Sequence, residues 1–232
     1  VLAHTDNQLY ATAVGVAGSG STAAGATVSV IYLKDETTAS AGGTLEGASI
    51  TVQAEADEQL VMSVMSAAVS GSTAAGASVG TIVFKGITRA SVLPGAHLTA
   101  ANGGIKVSAQ SNEKVNLTVA GAAGSGSASV AGSFAILIMN VTTQSMVQDS
   151  NAAAKGSLTA AGSVEISAAD KTEFDLIVGG ASFGGSAAVG AAIGTTVYRN
   201  TVTAMIGNNN IVAGKNIRVT AVADRNIRSS AV

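Results

Sequence analysis

Four short segments decide how this chain folds: Ile50-Thr51-Val52-Gln53-Ala54, Ile105-Lys106-Val107-Ser108-Ala109, Val164-Glu165-Ile166-Ser167-Ala168 and Ile217-Arg218-Val219-Thr220-Ala221. Each alternates apolar, mostly β-branched residues with polar ones. That period of two marks a strand with one buried face. It places Ile50, Val52, Ile105, Val107, Ile217 and Val219 inward, with Lys106 and Arg218 outward. The segments start 55, 59 and 53 residues apart, so the chain is a repeat of units of roughly 55 residues.

A second marker keeps the same order. The small-residue tract Gly18-Ser19-Gly20-Ser21-Thr22-Ala23-Ala24-Gly25 returns as Ser70-Gly71-Ser72-Thr73-Ala74-Ala75-Gly76. It returns more loosely across Gly124–Gly132 and Gly184–Gly190. Between the markers run β-rich segments: Thr27–Leu33, Thr81–Phe84, Phe134–Val141 and Thr195–Tyr198. Ala41-Gly42-Gly43 and Gly207-Asn208-Asn209-Asn210 read as turns, because Gly and Asn tolerate φ > 0. After each Ile-x-Val-x-Ala strand the reading places a polar corner, at Asp57, Asn112, Asp170 and Asp224 in turn.

Many short strands repeated in this way describe a solenoid. The fold expected is all-β: a right-handed parallel β-helix of about four units, approximately 11–62, 63–119, 120–178 and 179–232, forming one solenoid segment over 1–232. With a coil taken as roughly 18 to 28 residues, each unit makes two or three coils. The rod then holds about 8 to 13 coils and reaches on the order of 40 to 60 Å. The chain opens on Val1 with no basic and apolar leader, and reads as a piece of a longer protein.

Composition narrows the function. Charged residues make up 11% of the 232 residues, against about 25% in ordinary domains, and the net charge is −2. Intrinsic disorder wants high charge and low hydrophobicity, and 47% of this chain is hydrophobic. The lack of Cys removes disulfide frameworks and thiolate zinc sites. The slight acidic balance argues against nucleic acid as a partner. The stretches Ala11–Leu33, Leu60–Phe84, Val115–Gln148 and Leu176–Tyr198 carry no charge. They are dense in Ser, Thr and Gly and lack aromatic belts, so membrane-spanning helices and an outer-membrane barrel both fit poorly. The reading expects these strands to be buried on both faces, between neighbouring sheets or at a subunit contact.

Motifs for chemistry are few. His4 and His97 stand apart and in no HExxH pattern. No Gly-Lys-Ser/Thr follows the glycine tracts, so a nucleotide is not expected as a partner. Gly18-Ser19-Gly20 and Gly124-Ser125-Gly126 are not nucleophile elbows. Glu55, Asp57 and Glu58 form one acidic cluster, and Asp170, Glu173 and Asp175 another. At equivalent places in different units they read as solvated corners rather than glycosidase carboxylates or calcium loops. Arg218, Arg225 and Arg228 read as a solvated face, and the five Met as core filling. No catalytic, cofactor-binding or metal-ligating residue is assigned, and no cofactor is expected.

The run Asn200–Asn209 followed by Val212–Ala221, each behind a Gly/Ala tract, resembles the passenger repeats of large bacterial surface proteins: the filamentous-haemagglutinin-like and autotransporter adhesins of type V secretion. The resemblance covers nearly the whole chain. It implies a right-handed parallel β-helix stalk, displayed outside the cell at the bacterial surface. It implies adhesion or self-association without catalysis, with neighbouring repeats, other copies, or a host or bacterial surface receptor as partners. A self-assembling extracellular filament or surface layer is the second expectation, and a polysaccharide-degrading β-helix enzyme the third.

Overall fold

The computed structural model describes residues 1–150 and 155–232. Among the described residues thirteen strands follow in chain order: β1 (Leu2–Ser19), β2 (Thr22–Ala41), β3 (Thr44–Gly47), β4 (Ile50–Ser70), β5 (Thr73–Val92), β6 (His97–Ala100), β7 (Ile105–Ser125), β8 (Ala128–Val147), β9 (Ser157–Ala160), β10 (Val164–Gly184), β11 (Ala187–Ile206), β12 (Asn210–Ala213) and β13 (Ile217–Ala231). They form three parallel sheets. The first runs β1-β4-β7-β10-β13, the second β11-β8-β5-β2 and the third β12-β9-β6-β3. The fold is the expected right-handed parallel β-helix.

The four marker segments stack in register, Ile50 beside Ile105, Ile105 beside Val164, and Val164 beside Ile217. Each unit is therefore one coil, not two or three. A coil leaves along a long first-sheet strand, turns at the Gly/Ser tract, returns along a second-sheet strand and closes through a four-residue third side. The shorter coil failed because each unit offers no further corner. Strands of 20 and 21 residues run unbroken through the segments read as corners. Five strands about 4.8 Å apart rise only about 19 Å, while a 20-residue strand spans roughly 65 Å. The slab is thus widest along its strands.

Glycine makes the narrow tip possible. A Cβ on Gly71, Gly126 or Gly185 would run into the carbonyl oxygen of the tip glycine one coil below, at Gly20, Gly71 and Gly126. The core tapers to match. One large-residue cluster, including Val52, Leu98, Ile105, Leu158 and Ile166, lies toward the short third sheet. A second, with Leu60, Phe84, Leu117, Leu137 and Leu176, lies mid-slab. A third of Ala23, Ala68, Ala74, Ala123 and Ala131 fills the thin end.

Val52, Ile105 and Val107 are buried as expected, and Ile50 is half-buried. Ile217 and Val219 are not buried, at 52% and 46% exposure. Their strand partners Val164 and Ile166 are fully buried at the same positions. Among the described residues β13 is an edge strand of the first sheet, so its inward residues are covered on one side only. Met62 and Met139 fill the core, but Met65 and Met205 are exposed. The uncharged stretches are buried on their inner face only. Val14, Val28, Val30 and Tyr32 point outward and are more than half exposed. Among the described residues no helix is long and apolar enough to cross a membrane.

Candidate functional site

A belt of polar side chains crosses the interior between the two large apolar clusters. It arises from strand parity. On β7 the inward series Ile105, Val107, Ala109 continues through Ser111 and Glu113 to Val115 and Leu117. On β10 the same series carries Asp170 and Thr172 between Ala168 and Phe174. On β4 it carries Glu58 between Ala56 and Leu60. Glu58, Glu113 and Asp170 are 3%, 0% and 2% exposed.

These positions correct the corner reading. Asp57, Asn112 and Asp224 lie mid-strand, facing outward, with Asp57 beside Asn112 and Asp224 beside Lys171. Asp170 is one residue out of phase with them and faces the core. The acidic clusters likewise split. Glu55 and Asp57 stay outside while Glu58 goes in, and Glu173 and Asp175 stay outside while Asp170 goes in. The signal was present in the sequence: Glu58, Glu113 and Asp170 share the parity of the apolar residues that precede them.

The belt is densely bonded. Asn7 Nδ2 donates to Glu58 Oε1 at 3.1 Å. Ser111 Oγ donates to Glu113. Thr172 Oγ1 lies 3.2 Å from Glu113 Oε2 and 3.0 Å from Asp170 Oδ1, and receives the Tyr198 hydroxyl at 2.8 Å. Asn200 Nδ2 donates to Asp170 Oδ1. From the second sheet, Thr37 Oγ1 meets Thr5 Oγ1 at 2.7 Å, and Thr88 Oγ1 meets Ser111 Oγ at 3.4 Å. Arg225, inward on the end strand, lies 5.6 Å from the centre of the Tyr198 ring.

Burial dominates the electrostatics. It pushes the Glu58 carboxyl up to about 8, with Asp35 and Asp6 adding to the rise and Asn7 opposing it. Burial raises Glu113 as well, and the neighbouring Asp170 carboxyl raises it further. Asp170 is also raised by burial, against the opposing hydrogen bonds of Thr172 and Asn200 and the charge of Arg225. Glu58 and Glu113 hold protons in the neutral range, because no water solvates their charge, and Asp170 shifts in the same direction. Among the described residues Glu58 Oε2, Asp170 Oδ2 and Thr143 Oγ1 have no hydrogen-bond partner. Each such group costs about 1–3 kcal/mol, a cost set against the apolar clusters on either side.

The arrangement can store protons and fix register. Sliding one strand by two residues would drive Glu113 into the Leu117 and Leu137 cluster. A reaction at Glu113 or Asp170 would require a substrate to reach sealed side chains. On the outer face, His4, Glu55 and Asp57 bring ligand atoms within 4.8 Å of one another, with His4 Nδ1 3.9 Å from Glu55 Oε2. His97, exposed, pairs with Ser157 Oγ at 2.8 Å. No family model, curated protein or solved structure matches the chain.

Proposed function

We propose that this chain is a structural and adhesive segment of a large bacterial surface protein, displayed outside the cell and acting by attachment or self-association without catalysis. One observation carries the reading: every long strand stacks in register on its counterpart one coil away. Stability in such a stack comes from neighbour contacts and grows with each coil added. The polar residues that break the apolar pattern lie inside, where they hold register. The Cys-free sequence suits passage through an oxidising compartment without disulfide traps.

Antibodies raised against the purified chain test this on the bacterium that makes it. They should label intact cells, and brief protease treatment should remove the label together with attachment to surfaces. Labelling that requires lysis of the cells would overturn the proposal.

A further inference from the structure

We infer that the outer face of the second sheet, in its tip-side half, is a docking face for a second copy of this chain. This deepens the self-association part of the reading above and rests on it. The face runs from the tip to a basic row. Its outward residues include Val28 at 66% and Tyr32 at 70% exposure, with Val30, Ile193 and Val189 also more than half exposed. No charged residue lies between Thr22 and Lys34 on β2, or between Thr73 and Lys85 on β5. Four strands about 4.8 Å apart, uncharged over about 30 Å, present on the order of 600 Å². That is about the upper end of the largest apolar patch on a typical monomer, and such patches are often functional. Two copies would bury roughly 1,200 Å², the lower bound of specific interfaces.

The sequence along the face selects one arrangement. Near the tip the outward residues of β2 and β5 are small, Ala24 and Ala75, while the same row carries Val130 and Val189 on β8 and β11. Eight residues on they are large, Tyr32 and Val83, in rows that run straight across the coils. Beyond these lies the basic row of Lys34, Lys85 and Arg199. A two-fold axis parallel to the stacking direction reverses the strands and leaves both solenoids pointing the same way. It sets Ala75 against the partner's Val83, small against large. It also sets Lys85 over the partner's Thr73, which is uncharged. The alternative two-fold, along the strands, would press one basic row onto the other. The chosen axis works for any number of coils, so a longer stack would form a paired filament.

Sedimentation velocity of the purified chain over rising concentration is the test, with flotation on phosphatidylcholine–phosphatidylglycerol vesicles as its second arm. The expected result is a dimer that Val83→Lys and Ile138→Lys each weaken at least tenfold, with circular dichroism unchanged because both side chains point outward. Thr73→Glu should tighten it a few-fold at low salt, by facing the partner's Lys85. A monomer at about 100 µM, well above the range of specific complexes, would overturn the inference. So would a dimer indifferent to both lysine variants, or a monomer that floats with the vesicles and so assigns the face to lipid. A monomer that still labels the cell surface would sink the docking face and leave the surface-segment reading standing.

Discussion

Glu113 and Asp170, on adjacent strands of the first sheet, meet at a single hydroxyl: Thr172 Oγ1 is 3.2 Å from one carboxyl and 3.0 Å from the other. That hydroxyl has one hydrogen and already accepts the Tyr198 hydroxyl. All three contacts are satisfied when Thr172 donates to Asp170 and a protonated Glu113 donates to Thr172. The hydrogen-bond geometry and the raised proton affinity of Glu113 thus have the same cause, a core that holds an acid in its neutral form.

The first prediction concerns pH. Glu58, Glu113 and Asp170 all bind protons more tightly folded than unfolded. Where the folded chain holds more protons, stability falls as pH rises. For Glu58 and Glu113 the contribution is complete below the ordinary glutamate value of 4.5 and is lost as pH climbs through about 8 and about 9, with Asp170 shifted in the same direction. The urea midpoint should therefore be higher at pH 5 than at pH 9. A midpoint that rises steadily over that range would contradict the buried acids.

Glu113→Gln should flatten that profile. The amide keeps the volume and the donor to Thr172 but cannot ionise. The variant is expected within about 1 kcal/mol of the parent at pH 5 and more stable than it at pH 9. Urea melts at the two pH values check this, and equal slopes for parent and variant would count against it.

Position in the stack should set the cost of a core truncation. Leu117 is fully buried at the centre of the slab, so Leu117→Ala should cost about 2–5 kcal/mol. Ile227 points inward on the end strand but is 49% exposed, and Ile227→Ala should cost about 1 kcal/mol or less. Thermal unfolding of both variants tests the difference, and equal losses would mean that the end strand is covered.

The tip glycines should differ from one another in the same way. Gly71→Val forces a side chain onto the Gly20 carbonyl and should cost about 1–3 kcal/mol. Gly18→Ala meets no atom within 4 Å and should be neutral or stabilising by up to about 1 kcal/mol. Thermal midpoints of the two variants would show it.

Much of the fold was legible because it is local. Alternation along Ile105–Ala109 reports a strand, and its return 59 residues later reports the repeat. The buried acids were equally present as parity at Glu58, Glu113 and Asp170. They were missed because polar residues were taken to end a strand. A strand 21 residues long makes that inference fail, since its middle crosses a polar belt and continues.

By itself the sequence determined the strand period, the parity of each side chain, the 55-residue unit and the inward phase of three acids. Those depend only on backbone geometry and on which residues repeat. The tertiary structure alone decided that one unit is one coil, that Asp170 lies against Glu113 through Thr172, and that Val219 is half exposed while Ile166 is sealed. Such facts depend on what stands across the core and one coil above. A residue carries no local mark of its neighbours 4.8 Å up the stack, and only the folded stack places them there.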